Sequence, residues 1–250
     1  MNLLHQQLTE LKLSGIKAAL QHQHEQPALY LEQSFEERLS LLLDHELNQR
    51  QQRRIARLTQ QAKFRLKASL NHLHYSPERQ LAQDKVRTLA QGEWLRLHQN
   101  LLITGATGCG KTYLACALGH HYCQQQYSVL YLRLKTLLES LFMAQADGSY
   151  RKLMNKLHTC DLLIMDDWGL EPLSAQQRSD LLELIDGRYA QRATLITSQL
   201  PTEHWYDMIG ESTHADAILD RLLHGAIKLE LKGGSMRKVQ KSLTQVDHVS

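Results

Sequence analysis

A chain of 250 residues with 42% hydrophobic side chains is long and apolar enough for one full α/β domain and a small accessory domain, which excludes a mainly disordered protein. Its net charge of +3 is too small to identify a partner, so a nucleic-acid surface would need local clustering of Lys and Arg. No stretch approaches the roughly 20 apolar residues of a membrane span. The start MNLLHQQLTELKL lacks the basic leader and apolar core of a signal peptide, so we expect a soluble cytoplasmic protein that does not bind membranes.

The four cysteines do not indicate a disulfide framework, because they form no CxxC pair. Cys109, Cys116 and Cys123 recur every seven residues, which on a helix places them along one stripe, so we expect buried thiols. Histidine pairs such as His72 and His74 lack Cys or carboxylate companions at the spacing of zinc sites. We therefore expect no zinc site.

Glycine placement divides the chain in two, because only Gly15 precedes Gly92 and the other glycines follow at turn-like intervals. We predict a small all-α domain at residues 1–69 and a larger domain at residues 70–250. Ser34 and Glu37 have the spacing of a capping box. The apolar residues that follow recur at helical intervals; they are Phe35, Leu39, Leu42, Leu43 and Leu47.

The first domain contains a run of one charge sign, with seven Lys and Arg and no Asp or Glu between residues 47 and 77. Arginines recur at helical spacing on one face, and apolar residues such as Ile55, Leu58 and Ala62 group on another. A solvated helix normally mixes charge signs, so we interpret the run as a DNA-binding surface that neutralises phosphates. An ordinary solvated or protein-binding face is the alternative. The predicted DNA-binding residues are Arg50, Arg53, Arg54, Arg57, Lys63 and Arg65, with Arg151 and Lys152 further along.

The second domain alternates apolar, β-branched runs with helical stretches. The runs lie at residues 101–104, 129–132, 162–166, 194–198 and 227–231. Such alternation is typical of an α/β fold with a parallel sheet, here of five strands, and helices on both faces.

A phosphate-binding loop follows the first of these strands, because GATGCGKT satisfies the P-loop pattern GxxxxGKS/T between a strand and a helix. Glycines let the loop curl around phosphate oxygens, and the helix N-terminus adds a positive partial charge. Lys111 would reach the β- and γ-phosphates of ATP, and the Thr112 hydroxyl would hold Mg²⁺. The predicted nucleotide-binding residues are Gly105, Ala106, Thr107, Gly108, Cys109, Gly110, Lys111, Thr112 and Tyr113.

Acidic and polar residues end two other strands at the same edge of the sheet. LLIMDD places Asp166 where it would act on Mg²⁺ and Asp167 where it would orient or deprotonate the attacking water. After the fourth strand, the polar residues Thr197, Ser198 and Gln199 could bond the γ-phosphate or the water.

The P-loop, LLIMDD, LITSQ, ILDRL and GGSMRK together resemble the AAA+ ATPases of the DnaA and DnaC group. The leader SFEERLSLLLDHELNQRQQRRIARL is similar to that of the IstB-type ATP-binding helper proteins of bacterial insertion sequences. The resemblance implies that Ser198 or Gln199 is the first sensor and that Arg237 is the second. It also implies that Arg221 is an arginine finger acting on ATP in a neighbouring subunit. Residues 73–76 lie where relatives wrap the adenine.

Two departures from the AAA+ pattern modify these expectations. Most AAA+ enzymes have Glu where this chain has Asp167, so we expect slow ATP hydrolysis that DNA or a partner stimulates. Thirteen residues follow Arg237, too few for the helical lid of this class. We therefore expect the C-terminal lid to be absent or truncated.

The function that the resemblance implies is that of a transposition helper in DNA recombination. An ATPase using ATP and Mg²⁺ would form a head-to-tail homo-oligomer on duplex DNA, largely independent of sequence, and hand that DNA to the transposase of the same transposable element. Strand joining would belong to the transposase, because the chain has no acidic triad outside the nucleotide site. The alternatives are a DnaC-like replicative helicase loader, a small-molecule P-loop kinase and an ATP-binding scaffold that does not hydrolyse.

Overall fold

The computed structural model describes residues 2–75, 77–234 and 236. These residues form two compact units, one ending at Arg57 and the other beginning at Leu58. The units divide earlier in the chain than the domain boundary predicted between residues 69 and 70. The physical reason is packing, because Leu58, Ala62 and Phe64 belong to or pack against a hydrophobic core of the second unit.

The first unit is helical. Helix α1 covers Asn2–Glu10, α2 covers Ser14–Glu25, and α3 covers Phe35–Ala62, so α3 continues into the second unit. The predicted capping box is present at the start of α3. The Ser34 hydroxyl accepts from the Glu37 amide at 3.2 Å, and the Glu37 carboxylate accepts from the Ser34 amide at 2.6 Å.

Most of the apolar stripe predicted on α3 lies at solvent-exposed positions. Phe35 is 75% exposed, Leu39 39%, Leu43 48% and Leu47 64%, whereas Leu42 is half-buried. These residues lie on a helix, as predicted, but four of the five side chains are not buried.

Glu46 is a buried acid of the first unit, with 5% of its surface exposed. Its Oε2 accepts from the amides of Gly15 and Ile16 at 2.6 and 3.2 Å, and its Oε1 accepts from Arg50 Nε at 2.7 Å. Burial raises the pKa of Glu46, but these hydrogen bonds outweigh it and the pKa is lowered overall. Arg50, a predicted DNA-binding residue, thus has a carboxylate partner one helical turn away.

A parallel five-stranded sheet in the order β2-β3-β4-β1-β5 forms the centre of the second unit. The five predicted strands and the α/β fold are confirmed. The observed strands are β1 Leu101–Gly105, β2 Val129–Arg133, β3 Leu162–Trp168, β4 Ala193–Ser198 and β5 Ile227–Leu231.

Two helices, α4 Gln83–Gln91 and α5 Glu93–Arg96, precede β1. The helices that connect the strands are α6 Lys111–Gln124, α7 Leu134–Asp147, α8 Tyr150–Thr159, α9 Ala175–Arg188, α10 Trp205–Ile209 and α11 Ser212–Leu223. No helix in the described part of the chain is long and apolar enough to cross a membrane. The prediction of an absent or truncated lid concerns residues after 236, which lie outside the described ranges.

Side chains of β1 alternate between two hydrophobic cores, as expected for a strand with both faces covered. Leu101 and Ile103 pack in the core that contains residues of α4 and α6, and Leu102 packs in the core that contains residues of α7 and α9. All four cysteines are free and buried, which agrees with their predicted place in the interior. Because the strands are parallel, their carboxyl ends meet at one edge, beside the loop that leads into α6.

Candidate functional site

The predicted phosphate-binding loop connects Gly105, at the end of β1, with Lys111, at the start of α6. Gly105 and Gly110 have φ angles of +143° and +100°, which glycine adopts without strain. A Cβ on Gly105 would lie 2.1 Å from the carbonyl oxygen of Leu231, so no side chain fits there. The loop leads directly into the first turn of α6, where the amides at a helix N-terminus are suited to bind anions.

Lys111 is buried within this loop, with 7% of its surface exposed. Its Nζ donates to the carbonyl oxygens of Gly105 and Ala106 at 2.7 and 2.9 Å. Burial lowers the pKa of Lys111, an effect that nearby acidic groups oppose. A phosphate group at this place would offer the ammonium a charged and therefore stronger acceptor than these carbonyls.

Asp166 is fully buried and accepts hydrogen bonds from three hydroxyl groups. The Thr112 hydroxyl lies 3.1 and 3.0 Å from its two oxygens. The hydroxyls of Tyr131, on β2, and Thr197, on β4, also donate to it. Thr112 and Asp166 are therefore adjacent, as predicted for a metal pair, and their hydroxyl and carboxylate oxygens are the hard ligands that Mg²⁺ prefers.

Asp167 occupies an irregular position in β3. The pairing of β3 with β4 changes register between Met165 and Trp168, and Asp167 has a φ angle of +60°, a conformation enriched in Asp and Asn. Its carboxylate lies 3.7 Å from Arg65 Nη1 and 3.7 Å from Arg133 Nε. Two guanidinium groups thus contact the predicted catalytic acid. The positive φ angle, which favours Asp, is a local reason for the shorter acid at this position.

Arg65, predicted as a DNA-binding residue of the basic run, lies beside the nucleotide cavity. It lines the same cavity as Lys111 and Thr112, and its Nη1 is 4.0 Å from Asp166 Oδ2. Helix α3 ends at Ala62, so Arg65 is not on this helix. Its contact with DNA stays a prediction.

The three polar residues predicted at the end of β4 have different partners. Gln199 lines the cavity and accepts from the Thr107 hydroxyl at 2.5 Å. Ser198 is buried, is not one of the residues that line this cavity, and donates to the carbonyl oxygen of Trp168 at 2.9 Å. Thr197 donates to Asp166.

Another wall of the cavity comes mainly from residues before α4. His72, Leu73 and His74 line the cavity, together with Tyr113 of α6, and Leu73 and His74 fall within the predicted adenine segment. Ser76 lies outside the described residues. Arg79 also lines the cavity and is 6% exposed. Sequence reasoning missed this arginine, because no motif or helical spacing distinguishes it from a surface residue.

The predicted arginine finger, Arg221, lies within the described residues, whereas the predicted second sensor, Arg237, does not. Arg221, on α11, donates to the Asp186 carboxylate at 2.7 Å and to the carbonyl oxygen of Ala217 at 2.9 Å. It is not one of the residues lining the cavity described above. Arg237 lies outside the described residues. Both roles stay predictions.

The chain matches the family model of the IstB-like ATP binding proteins over residues 6–244. The chain belongs to this family. It is 46% identical to the insertion sequence ATP-binding protein y4pL of Sinorhizobium fredii, over 83% of this chain and 85% of that protein. Its identity to the insertion sequence IS1162 ATP-binding protein of Pseudomonas fluorescens is 49%, over 78% of this chain and 85% of that protein.

Solved structures show the same AAA+ fold for this IstB-like chain. DnaA bound to AMPPCP and single-stranded DNA aligns with a TM-score of 0.60 and 17% identity, over 74% of this chain and 57% of DnaA. The DnaC helicase loader aligns with a TM-score of 0.57 and 21% identity, over 66% of this chain and 97% of the loader structure. The chain therefore spans little more than half of the DnaA structure and corresponds to nearly all of the DnaC one.

The other predicted DNA-binding residues of the IstB-like chain lie at the surface. Arg53, Arg54 and Arg57 are exposed on α3. Lys63 is exposed directly after the end of α3, with a φ angle of +54°. Arg151 and Lys152 are exposed on α8, between β2 and β3 as predicted.

We expect Tyr131→Phe to destabilise the folded protein by about 1–2 kcal/mol, because Asp166 loses a buried hydroxyl donor. The measurement is urea unfolding at pH 7 without nucleotide. Tyr206→Phe is the control, since Tyr206 is 39% exposed. Equal unfolding midpoints for the two variants would show that the Tyr131 hydroxyl does not stabilise the site.

Proposed function

We propose that this protein is an ATP-dependent transposition helper of an insertion sequence, an ATPase that assembles on duplex DNA and presents it to a transposase. The observation that carries the proposal is that Lys111, Thr112 and Asp167 line one cavity, with the buried Asp166 hydrogen-bonded to Thr112. Membership of the IstB-like ATP binding family supports the nucleotide. The relatives y4pL and IS1162, named as insertion sequence proteins, support the biological setting.

In this proposal the phosphates of ATP bind the loop from Gly105 to Thr112 and the amides that begin α6. Lys111 exchanges its loop carbonyl acceptors for the β- and γ-phosphates. Thr112 and Asp166 hold Mg²⁺, which would neutralise phosphate charge. Gln199 would bond the γ-phosphate, and its position in the lining of the same cavity and its hydrogen bond with Thr107 of the loop support this role.

Asp167 is the residue we assign to the attacking water. Its ion pairs with Arg65 and Arg133 compete with that role, because a carboxylate held by two guanidinium groups has fewer free lone pairs for a water proton. This supports slow basal hydrolysis that rises when DNA or a partner rearranges the site.

DNA binding is assigned to the exposed arginines Arg53, Arg54 and Arg57 of α3. The segment that contains these arginines, residues 47 to 77, has no Asp or Glu that could neutralise their charge. Arg50 contributes less, because Glu46 already offsets its charge. Contacts of this kind bind phosphates and carry no base information, so the binding would be largely independent of sequence.

Oligomerisation is the remaining part of the proposal. Arg221 would act on ATP held by a neighbouring subunit, where a guanidinium stabilises the charge that develops during phosphoryl transfer. In the single chain it pairs with Asp186, so assembly would require this ion pair to open. Head-to-tail contacts of this type give rings or helical filaments.

We expect Asp167→Asn to reduce ATP turnover at least about 100-fold while ATP affinity changes little, because the variant removes the base but keeps a residue that tolerates positive φ. The measurements are steady-state phosphate release and equilibrium ATP binding, with and without duplex DNA. Asp207→Asn, at an exposed position of α10, is the control. Unchanged turnover in Asp167→Asn would remove Asp167 from the mechanism, and absence of turnover in the wild type would favour a non-hydrolysing scaffold.

We expect ATP with Mg²⁺ to drive ordered oligomers on a duplex of about 50 base pairs, and Lys111→Ala to abolish them. Size-exclusion chromatography and negative-stain microscopy with ATP, with ADP and without nucleotide measure this. Lys228→Ala, at an exposed position of β5, controls for loss of a charge.

The same experiment with Arg221→Ala and Asp186→Asn distinguishes a role of Arg221 in hydrolysis from a role of its ion pair with Asp186 in folding. If Arg221 acts in a neighbouring subunit, only Arg221→Ala reduces hydrolysis by the assembled protein. Equal losses would indicate that the Arg221–Asp186 contact matters only for folding. A protein that stays monomeric and ignores duplex DNA in every nucleotide state would overturn the helper function and favour a helicase loader or a metabolite kinase.

We expect the triple change of Arg53, Arg54 and Arg57 to Gln to weaken duplex binding. The slope of log K against log salt should fall by about 0.9 for each phosphate that the variant no longer neutralises. Fluorescence anisotropy at several salt concentrations measures both quantities. The matched control changes Lys85, Arg87 and Arg96, exposed cations of the second unit, to Gln. Equal losses in the two triple variants would show that net charge, and not this face of α3, determines binding.

A further inference from the structure

Arg79 is a buried arginine beside the phosphate-binding loop that none of the roles above uses. It ends the short 3-10 helix Pro77–Arg79 and is 6% exposed. Its Nη2 donates to the carbonyl oxygen of Cys109 at 2.9 Å, and its Nη1 donates to the carbonyl oxygen of His74. One guanidinium group therefore joins the phosphate-binding loop to the cavity wall that residues 72–74 form.

The loop is shaped to admit this guanidinium. A Cβ on Gly110 would lie 2.5 Å from Arg79 Nη2, so the glycine leaves the space that the arginine fills. The carbonyl oxygen of Arg79 also accepts from the Lys232 amide at 3.1 Å, just after β5. Arg79 is thus fixed through both its backbone and its side chain.

The bonds of Arg79 distinguish it from a phosphate ligand. Its two hydrogen-bonded nitrogens face peptide carbonyls, and its Nε is buried with no acceptor among the described residues. Burial lowers the pKa of Arg79, opposed by nearby Cys109, but an arginine stays protonated at neutral pH. A planar guanidinium bridges two carbonyls in a fixed geometry that a lysine ammonium cannot reproduce.

The wall that Arg79 joins to the loop is where the nucleoside would lie. With phosphates on the loop, the remaining lining comes from His72, Leu73, His74 and Tyr113. These apolar and aromatic side chains suit a base and a sugar and offer little to phosphate. The His74 carbonyl is the point at which Arg79 holds this wall.

We infer that Arg79 is a positioning residue for the nucleoside half of ATP, which sets the distance between the base-binding wall and the phosphate-binding loop. The inference rests on the proposed nucleotide site. Arg79 contributes to the part of the ATP affinity that comes from the nucleoside, because a wall that is ordered before binding costs less free energy to occupy. Inorganic tripolyphosphate has no nucleoside, so its affinity should not depend on the hydrogen bond between Arg79 and the His74 carbonyl oxygen.

The test compares the affinities of the full chain for ATP and for inorganic tripolyphosphate, both with Mg²⁺, by isothermal titration calorimetry. We expect Arg79→Gln and Arg79→Lys each to weaken ATP binding about tenfold, the effect of losing one charge-assisted hydrogen bond. Tripolyphosphate affinity should stay within about twofold of wild type. Arg96→Lys, at an exposed position of α5, is the control, and Lys111→Ala should weaken both ligands.

The outcomes separate the inference from the proposed function. Equal weakening of ATP and tripolyphosphate in Arg79→Gln, with Arg79→Lys unchanged, would make Arg79 a phosphate ligand and overturn the inference. Unchanged ATP affinity in both variants would also overturn it. If the wild type binds neither ligand, or Lys111→Ala binds both as well as the wild type, the nucleotide site itself fails. Thermal unfolding by circular dichroism establishes that each variant is folded, and Arg79→Lys preserves the test if the neutral variant is not.

Discussion

The buried carboxylate of Asp166 joins the phosphate-binding loop to the sheet. Hydroxyls from Thr112 on α6, Tyr131 on β2 and Thr197 on β4 all donate to it. A buried charge is costly unless hydrogen bonds satisfy it, so these elements hold one arrangement relative to β3. These hydrogen-bond donors are neutral hydroxyl groups, and Arg65 Nη1 lies 4.0 Å from Asp166 Oδ2. The carboxylate that links these elements is also the one proposed to hold the metal ion.

The irregular backbone of β3 gives Asp166 and Asp167 different environments. In a regular strand consecutive side chains point to opposite faces, yet Arg65 lies within 4.0 Å of Asp166 and 3.7 Å of Asp167. The register change after Met165 and the positive φ of Asp167 allow both carboxylates to approach one guanidinium. The sequence DD alone specifies neither feature, so the distinct environments of the two acids follow from the backbone.

The parts of the structure that were predicted from sequence depend on local patterns. The strands are apolar runs between helices, and the loop from Gly105 to Thr112 is a motif with a fixed context. The roles of Arg65, Arg79 and Thr197 depend instead on contacts between segments distant in the chain, which residue spacing does not predict. The same limit explains the domain boundary, since α3 is one continuous helix whose last turns pack with residues of the second unit.

The cations of the basic run between residues 47 and 77 differ in whether they have an acidic partner. Arg50 pairs with Glu46, and Arg65 pairs with the acids of the nucleotide cavity. For the run's other cations, the described residues contain no carboxylate within ion-pair distance. Counterion release scales with the cations that reach phosphates, so the seven charges of the run overstate its capacity for DNA. On α3, Arg53, Arg54 and Arg57 are exposed and outside ion-pair distance of any described carboxylate, so the proposed DNA contact depends on these three.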